Sequence, residues 1–343
     1  MSQRTIIGVD LAKNEFAVWA TDGGSKPRIR RKVRRGQFLA LLRKQPKSLV
    51  AMEACASAHY WARQVRALGH EVKLLPPQYV KAYLWGQKND YNDAQAIAEA
   101  CEHARVRGVR IKGVEQQDEQ MLHKLRRGLD KDRTRISNQL RSLLMEYGVF
   151  IPRGIGVLRR ELPLILEDAE NELTPRSREL LHRQYRRFLE LDEELAWYTR
   201  QVEQAAKEDE ACRRLEEIPG IGWINGSVLK SWMGDGRQFQ RGRDASAALG
   251  LVPRQHSTGG KQRLLGITRK GDSYVRTMAI HGCRSVVLHA EGKTDPLSLW
   301  IQRIKAQRGH NKAVVALANK LVRIAWVIIA RGERYRPPQE QMA

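Results

Sequence analysis

The chain is poor in cysteine: Cys55, Cys101, Cys212 and Cys283 are its four, far apart and none in a C-x-x-C pair. That spacing argues against a disulfide framework or a thiolate zinc site and suits reduced thiols in a cytoplasm. Acid is also scarce, with 38 Asp and Glu against 61 Lys and Arg, a net charge of +23. Residues 211–343 alone carry 23 basic and 9 acidic side chains, or +14. Such a surplus attracts phosphate and points to a polynucleotide partner, without separating DNA from RNA. Basic ribosome-associated or membrane-surface proteins share it. Long apolar runs are missing as well. Only residues 313–330 approach membrane-span length, and Lys320 and Arg323 interrupt them, so a packed core helix and no membrane partner are expected. The start of the chain has no basic segment followed by a long apolar core, so no signal peptide is expected. Low-complexity tracts and internal repeats are absent from the sequence. A length of 343 residues predicts two or three domains.

Among the few acids, four stand out by position. Asp10 ends the apolar run TIIGVD, Glu53 ends LVAME, and Asp90 and Asp93 open a helical stretch, NDYNDAQAIAEA. Residues 5–10 and 48–53 have strand length and composition, residues 15–20 and 28–33 read as two further strands, and residues 38–42 as helix. Asp90 and Asp93 stand one helical turn apart and share a face. If the first and fourth strands are neighbours and the helix crosses their ends, all four acids come within metal-bridging reach. Carboxylates gathered at buried strand ends stay ionised around a cation. Two magnesium ions about 4 Å apart would clamp the attacking and leaving oxygens of a phosphoryl transfer. Singly, each residue has a plainer reading: Asp10 as a turn or cap residue, Asp90 and Asp93 as a capped first turn.

The order Asp, Glu, Asp-x-x-Asp, set in GVDLAKNEF, MEACASAHYW and KNDYNDAQAIAE, resembles the DEDD transposases of bacterial insertion sequences. Their nuclease domain is similar to the RuvC resolvase, an RNase H-like fold, and the pilin-gene-inverting DNA invertases belong with them. The resemblance covers nearly the whole chain. It implies magnesium, or manganese, at Asp10, Glu53, Asp90 and Asp93, and no nucleotide cofactor. It also implies donor and target double-stranded DNA, a structured non-coding guide RNA of the bridge or seek type, and a homodimer assembling to a tetramer on DNA.

The second half of the resemblance lies at residues 215–234 and 242–272. In LEEIPGIGWINGSVLKSWMG, Gly220 and Gly222 between apolar helical runs read like a helix-hairpin-helix whose backbone amides approach phosphate, or like an ordinary Pro-Gly turn. The stretch around HSTGGKQR brings Arg254, His256, Ser257, Thr258, Lys261 and Arg263 together. By residue type alone it is a polar hairpin loop. An attacking serine, however, needs small neighbours and nearby positive charge. The resemblance implies a serine here that becomes joined to a DNA 5′ phosphate; Ser257 takes that role, with Thr258 as the register alternative. Arg269 and Lys270, further on, are candidate phosphate contacts.

Between the two halves the pattern is helical. Leu122, Leu125, Leu129, Ile136, Leu140, Leu143 and Tyr147 recur at helical spacing, leaving Arg126, Arg127 and other cations on other faces for phosphate. Residues 148–177, with three prolines and two glycines besides Gly148, are expected to be a connector. A second amphipathic segment, from Leu181 to Val202, predicts either an intramolecular antiparallel pair or a coiled coil between protomers. Residues 334–343 are expected to be a loose tail. The expected fold is an α/β RNase H-like (RuvC-like) N-terminal domain at residues 1–112, central long, coiled-coil-like helices at 113–210 for linking and dimerisation, and a mostly α C-terminal domain at 211–343 with the helix-hairpin-helix-like motif. Two functions compete with a guided transposase: a RuvC-like nuclease using metal-activated water, and a non-catalytic nucleic-acid-binding protein.

Overall fold

A computed structural model describes residues 5–22, 27–85 and 89–337. The chain divides into two compact units, residues 1–114 and 115–343.

The first unit holds β1 (Ile6–Leu11), β2 (Glu15–Thr21), β3 (Ile29–Arg34), α1 (Phe38–Arg43), β4 (Leu49–Glu53), α2 (Ala58–Ala67), β5 (Glu71–Leu75), α3 (Pro77–Val80) and α4 (Asp90–Glu102). The strands form one mixed sheet in the order β3-β2-β1-β4-β5. β1 pairs antiparallel with β2 and parallel with β4, and β4 pairs parallel with β5. This is a mixed α/β architecture consistent with the expected RNase H-like fold. β5 was not among the strands expected from the sequence. EVKLL lacks strong β-branched alternation, and it is a strand because β4 offers it an open edge.

The two faces of the sheet bury different side chains, as the period of two requires. Ile7, Val9, Val50 and Met52 enter a core with Phe38 and Trp61 from α1 and α2. Ile6 and Ala51 enter a second core with Ile97, Ala98 and Cys101 from α4. Gly8 shares that second face, and a Cβ there would lie 2.2 Å from the Ala94 carbonyl oxygen and 2.9 Å from the Ala98 Cβ. Glycine on the strand and alanines on the helix therefore set how closely α4 lies on β1.

The second unit contains α5 (Val114–Met145), α6 (Ile155–Glu167), α7 (Pro175–Glu208), α8 (Glu210–Glu216), α9 (Trp223–Met233), α10 (Gly242–Ala248), β6 (Pro253–Gln255), β7 (Leu264–Ile267), α11 (Ser273–Leu288), α12 (Pro296–Arg308) and α13 (His310–Arg331). α5 and α7 pair within the chain and run antiparallel: Arg126 reaches Thr199 at 3.0 Å, while Arg133, further along, reaches Asp192 at 2.7 Å. Ile136, Leu140 and Leu144 bury against Leu181, Tyr185 and Phe188. The expected Leu125 and Leu143 are exposed instead. α5 presents a narrower stripe to α7 than its apolar residues would allow.

The connector expected at residues 148–177 is corrected: it contains α6, with Pro163 inside it. Proline removes the hydrogen bond to the carbonyl four residues back and would normally break a helix. Here the Tyr185 hydroxyl donates to that carbonyl, on Arg159, at 2.9 Å. Burial of Leu158 and Leu162 supplies the rest of the reason. α13 is long and apolar enough to span a membrane by length and composition. It buries Leu317, Leu321 and Ala325 in the second unit's core, as a core helix would. Of the expected tail, residues 338–343 lie outside the described residues.

Candidate functional site

Strand register decides where the acids fall. Gly8 pairs with Ala51 and Val9 with Met52 across parallel β1 and β4, so Asp10 and Glu53 follow side by side. Both belong to the face covered by α4, because Asp10 is two residues from Gly8 and Glu53 two from Ala51. α4 begins at Asn89, whose side chain accepts hydrogen bonds from the Tyr91 and Asn92 amides at 3.1 and 3.0 Å. With Asn89 as the cap, Asp90 and Asp93 are released from capping and sit in the first turn. Asp10, Asp90 and Asp93 each offer a carboxylate oxygen within 4.8 Å of the other two.

Glu53 stands outside that trio but within its field. Its carboxyl is held above the usual range, first by burial and then by the charge of Asp93, with Lys81 opposing. The neighbouring Cys55 thiol is also pushed up, chiefly by burial and then by Glu53, which makes it a poor nucleophile. A set of hard oxygen donors in which the charge of Asp93 already disfavours an ionised Glu53 suits a divalent cation, which relieves the repulsion.

A cation that sequence reasoning missed already touches the cluster. Lys32 of β3 places its Nζ 2.5 Å from Asp90 Oδ2. Arg30 lies 5.1 Å from the centroid of the Tyr91 ring. β3 is an edge strand, and residues 28–35 hold six cations, all exposed or half-buried. The signal in the sequence was the run RIRRKVRR, read only as a strand.

The hydroxyls sit in the second unit on a two-residue hairpin between β6 and β7. Thr258 and Lys261 exchange backbone hydrogen bonds around Gly259 (φ +53°) and Gly260 (φ +75°), the left-handed pair that such a turn demands. A Cβ on either glycine would meet nothing within 4 Å. The Ser257 Oγ accepts a hydrogen bond from Gln255 Nε2 at 2.9 Å. Thr258 faces Lys261 across the hairpin, and the His256 amide bonds to the Arg263 carbonyl. Alternation therefore groups His256, Thr258, Lys261 and Arg263 on one face and Gln255 with Ser257 on the other. Arg254 is exposed on β6.

The remaining expected contacts divide. Gly220 (φ +85°) packs against α11: a Cβ on Gly282 would lie 2.0 Å from the Gly220 carbonyl oxygen. Its smallness serves helix packing. Gly222 caps α9 with open space around it. Arg126 bonds to Thr199, and Arg127 lies 4.9 Å from the Tyr274 ring centroid, so both are engaged in intramolecular contacts. Arg269 (φ +56°) is exposed, and Lys270 is exposed with its backbone against Gly250.

Known proteins bear on this arrangement directly. The family model described as "Transposase IS116/IS110/IS902 family" matches residues 212–296. A second, of DEDD transposases of the IS110 type, matches residues 7–149, which include all four acids. The chain is 43% identical to the transposase for insertion sequence element IS1111A of Coxiella burnetii, over 98% of this chain and 92% of that one. It is 43% identical to a probable family 20 transposase of Pseudomonas aeruginosa, over 96% and 98% of the two chains. Identity to the transposase for IS1328 of Yersinia enterocolitica is 37%, over 97% and 98%. With end-to-end similarity of this degree, the chain belongs to the IS110 family of insertion-sequence transposases, enzymes that recombine DNA.

Proposed function

We propose that this transposase cuts and rejoins donor and target DNA through a serine ester, under the direction of a structured guide RNA. The observation that carries the reading is the meeting of Asp10, Asp90 and Asp93 within 4.8 Å, beside a Glu53 that burial and Asp93 make hard to ionise. These four residues would hold magnesium, or manganese in its place. When bound there, the metal neutralises phosphate charge and lowers the cost of ionising a hydroxyl.

Ser257 is the nucleophile in this reading, exposed on a hairpin two residues before the glycine pair of its turn. Its Oγ forms a bond to phosphorus as the bond to the 3′ oxygen breaks. The serine proton passes through solvent to the departing 3′ oxygen, and the 5′ phosphate stays on the protein. The ester keeps the energy of the broken phosphodiester, so strand exchange and religation need no nucleotide cofactor. The guide RNA reads sequence by base pairing, while the protein contacts backbone and RNA shape. The working assembly is a dimer that pairs into a tetramer on two duplexes.

One observation favours a hydrolytic second reading: Ser257 shares its hairpin face with Gln255, and the hairpin's cations group with Thr258. The test is incubation of purified protein with magnesium, labelled donor and target DNA and co-expressed RNA, resolved on denaturing gels. A protein–DNA adduct lost in Ser257→Ala and Asp10→Asn but kept in Thr258→Ala is the expected result. An adduct lost only with Thr258→Ala moves the nucleophile by one residue. Cleavage without adduct, indifferent to both hydroxyls, makes the enzyme a hydrolytic nuclease.

A further inference from the structure

The second unit contains a cleft of about 1830 Å³ between α10, the β6–β7 hairpin, α11, α12 and α13. Ten of its lining residues are Lys or Arg and none is Asp or Glu, among the described residues. α11 supplies Arg284, α12 Arg308, and α13 Lys312, Lys320 and Arg323. None of these five has a carboxylate partner within ion-pair distance, again among the described residues; the nearest exceptions in the cleft are long pairs, Arg241 to Asp244 at 3.9 Å and Arg331 to Glu333 at 3.8 Å. Cations on an ordinary solvated face diverge into water and are interspersed with acids. Cations converging on a concavity repel one another, and a polyanion relieves that repulsion. Lys320 already bears the cost: burial, and then the charge of Arg323, hold its ammonium below the usual lysine range.

The cleft is not only charged. Its hairpin wall exposes Leu264 (63%) and Leu265 (40%), and Ile280 and Ile304 also line it. Trp300 lies there too, with the Lys320 Nζ 4.7 Å from its ring centroid. Duplex DNA stacks its base faces inside and offers a wall phosphates, sugars and base edges, which would leave most of these apolar surfaces uncovered. An unpaired strand offers phosphates and flat apolar base faces together, the combination that positive, partly apolar grooves bind.

We propose that this cleft binds an unpaired DNA strand, with phosphates on its arginines and lysines and bases on its apolar wall. The wall is the base of the same hairpin that carries Ser257 and Thr258 nearer its tip, so the bound strand would lie at the foot of the element that bears the hydroxyls. The proposal rests on DNA being the substrate and is independent of which group attacks it. It also gives Lys320 and Arg323 a reason to interrupt an otherwise apolar helix.

The experiment is fluorescence anisotropy of the full-length protein in EDTA, so that no cleavage occurs, with labelled oligothymidylate, oligouridylate and duplex DNA across a salt series. The triple variant Arg284→Gln, Arg308→Gln, Lys312→Gln is expected to lose about tenfold or more in oligothymidylate affinity, and its salt slope to fall by about 2. Duplex affinity should change less than about twofold if, as proposed, the cleft takes the unpaired strand and not the duplex. Leu264→Ser with Leu265→Ser, which alters no charge, should weaken oligothymidylate binding without changing the salt slope. Ser257→Ala should bind oligothymidylate as the wild type does, which separates this proposal from the serine mechanism. Unchanged oligothymidylate binding in both cleft variants overturns the proposal. So does an equal loss for the duplex, which would make the cleft a duplex site, or a larger loss for oligouridylate, which would assign it to RNA. Circular dichroism of each variant confirms that the fold compared is the same.

Discussion

The acids and the hydroxyls of this transposase are carried in opposite ways. Asp10 and Glu53 stand at adjacent strand ends, and Asp90 and Asp93 in the first turn of a helix seated on those strands by Gly8, Ala94 and Ala98. Ser257 and Thr258 stand on a hairpin where every residue from 253 to 266 is exposed. Like-charged groups meet only where a core outweighs their repulsion, whereas a hydroxyl costs nothing to display. Stability and chemistry should therefore be coupled in the first unit and separable on the hairpin.

The largest expected effect breaks the acid site. Asp10→Asn or Asp93→Asn should lower DNA cleavage by about a thousandfold or more, with divalent-cation binding by calorimetry lost in parallel. Retained cation binding would detach the cluster from the metal. Next in size is a pH effect confined to the second unit. His123 is buried against Ser227 at 2.9 Å, and burial, reinforced by Arg126, lowers its pKa to about 4. A depressed histidine contributes stability that is fully present above its unfolded pKa of about 6.5 and is lost as pH falls to about 4. Denaturant unfolding across that window should show a decline of up to about 3 kcal/mol, flattened in His123→Gln.

Two glycines sharpen the contrast. Gly8→Ala drives a Cβ into the Ala94 carbonyl and should destabilise by about 1–3 kcal/mol while reducing cleavage, because it moves α4 and its two acids together. Gly259→Ala meets no atom and should cost about 1 kcal/mol from its positive φ alone. Equal costs would mean the hairpin is as tightly held as the sheet. The smallest effects are on stability. Glu53→Gln removes a repelled, half-buried carboxylate and should raise the thermal midpoint by about 1–3 °C while impairing cleavage. Ser257→Ala should leave stability within about 0.5 kcal/mol.

Much of the first unit was legible in the chain. Residues 5–10, 15–20 and 48–53 read as strands because apolar and β-branched residues predominate in them, residues 28–33 were a further strand candidate, and the four appear as β1 to β4. β5 was hidden because its pairing depends on an edge that exists only once β4 is in place. α6 was hidden by Pro163, whose cost is met by a tyrosine on another helix. The role of Lys32 was invisible for a similar reason: nothing local tells which of six neighbouring cations will reach Asp90.

The sequence by itself determined the kinds of groups present: four spaced acids, a hydroxyl among glycines, and an excess of cations. It also determined the periodicities that make strands and helices, since those depend on neighbours a few residues away. The tertiary structure alone decided that Asp10 and Glu53 lie side by side, that Gly220 serves Gly282 rather than open space, and that Lys320 and Arg323 line a cleft instead of merely interrupting a helix. Each of these depends on strand register or helix packing between residues far apart in the chain, and such distances are set only when the cores close.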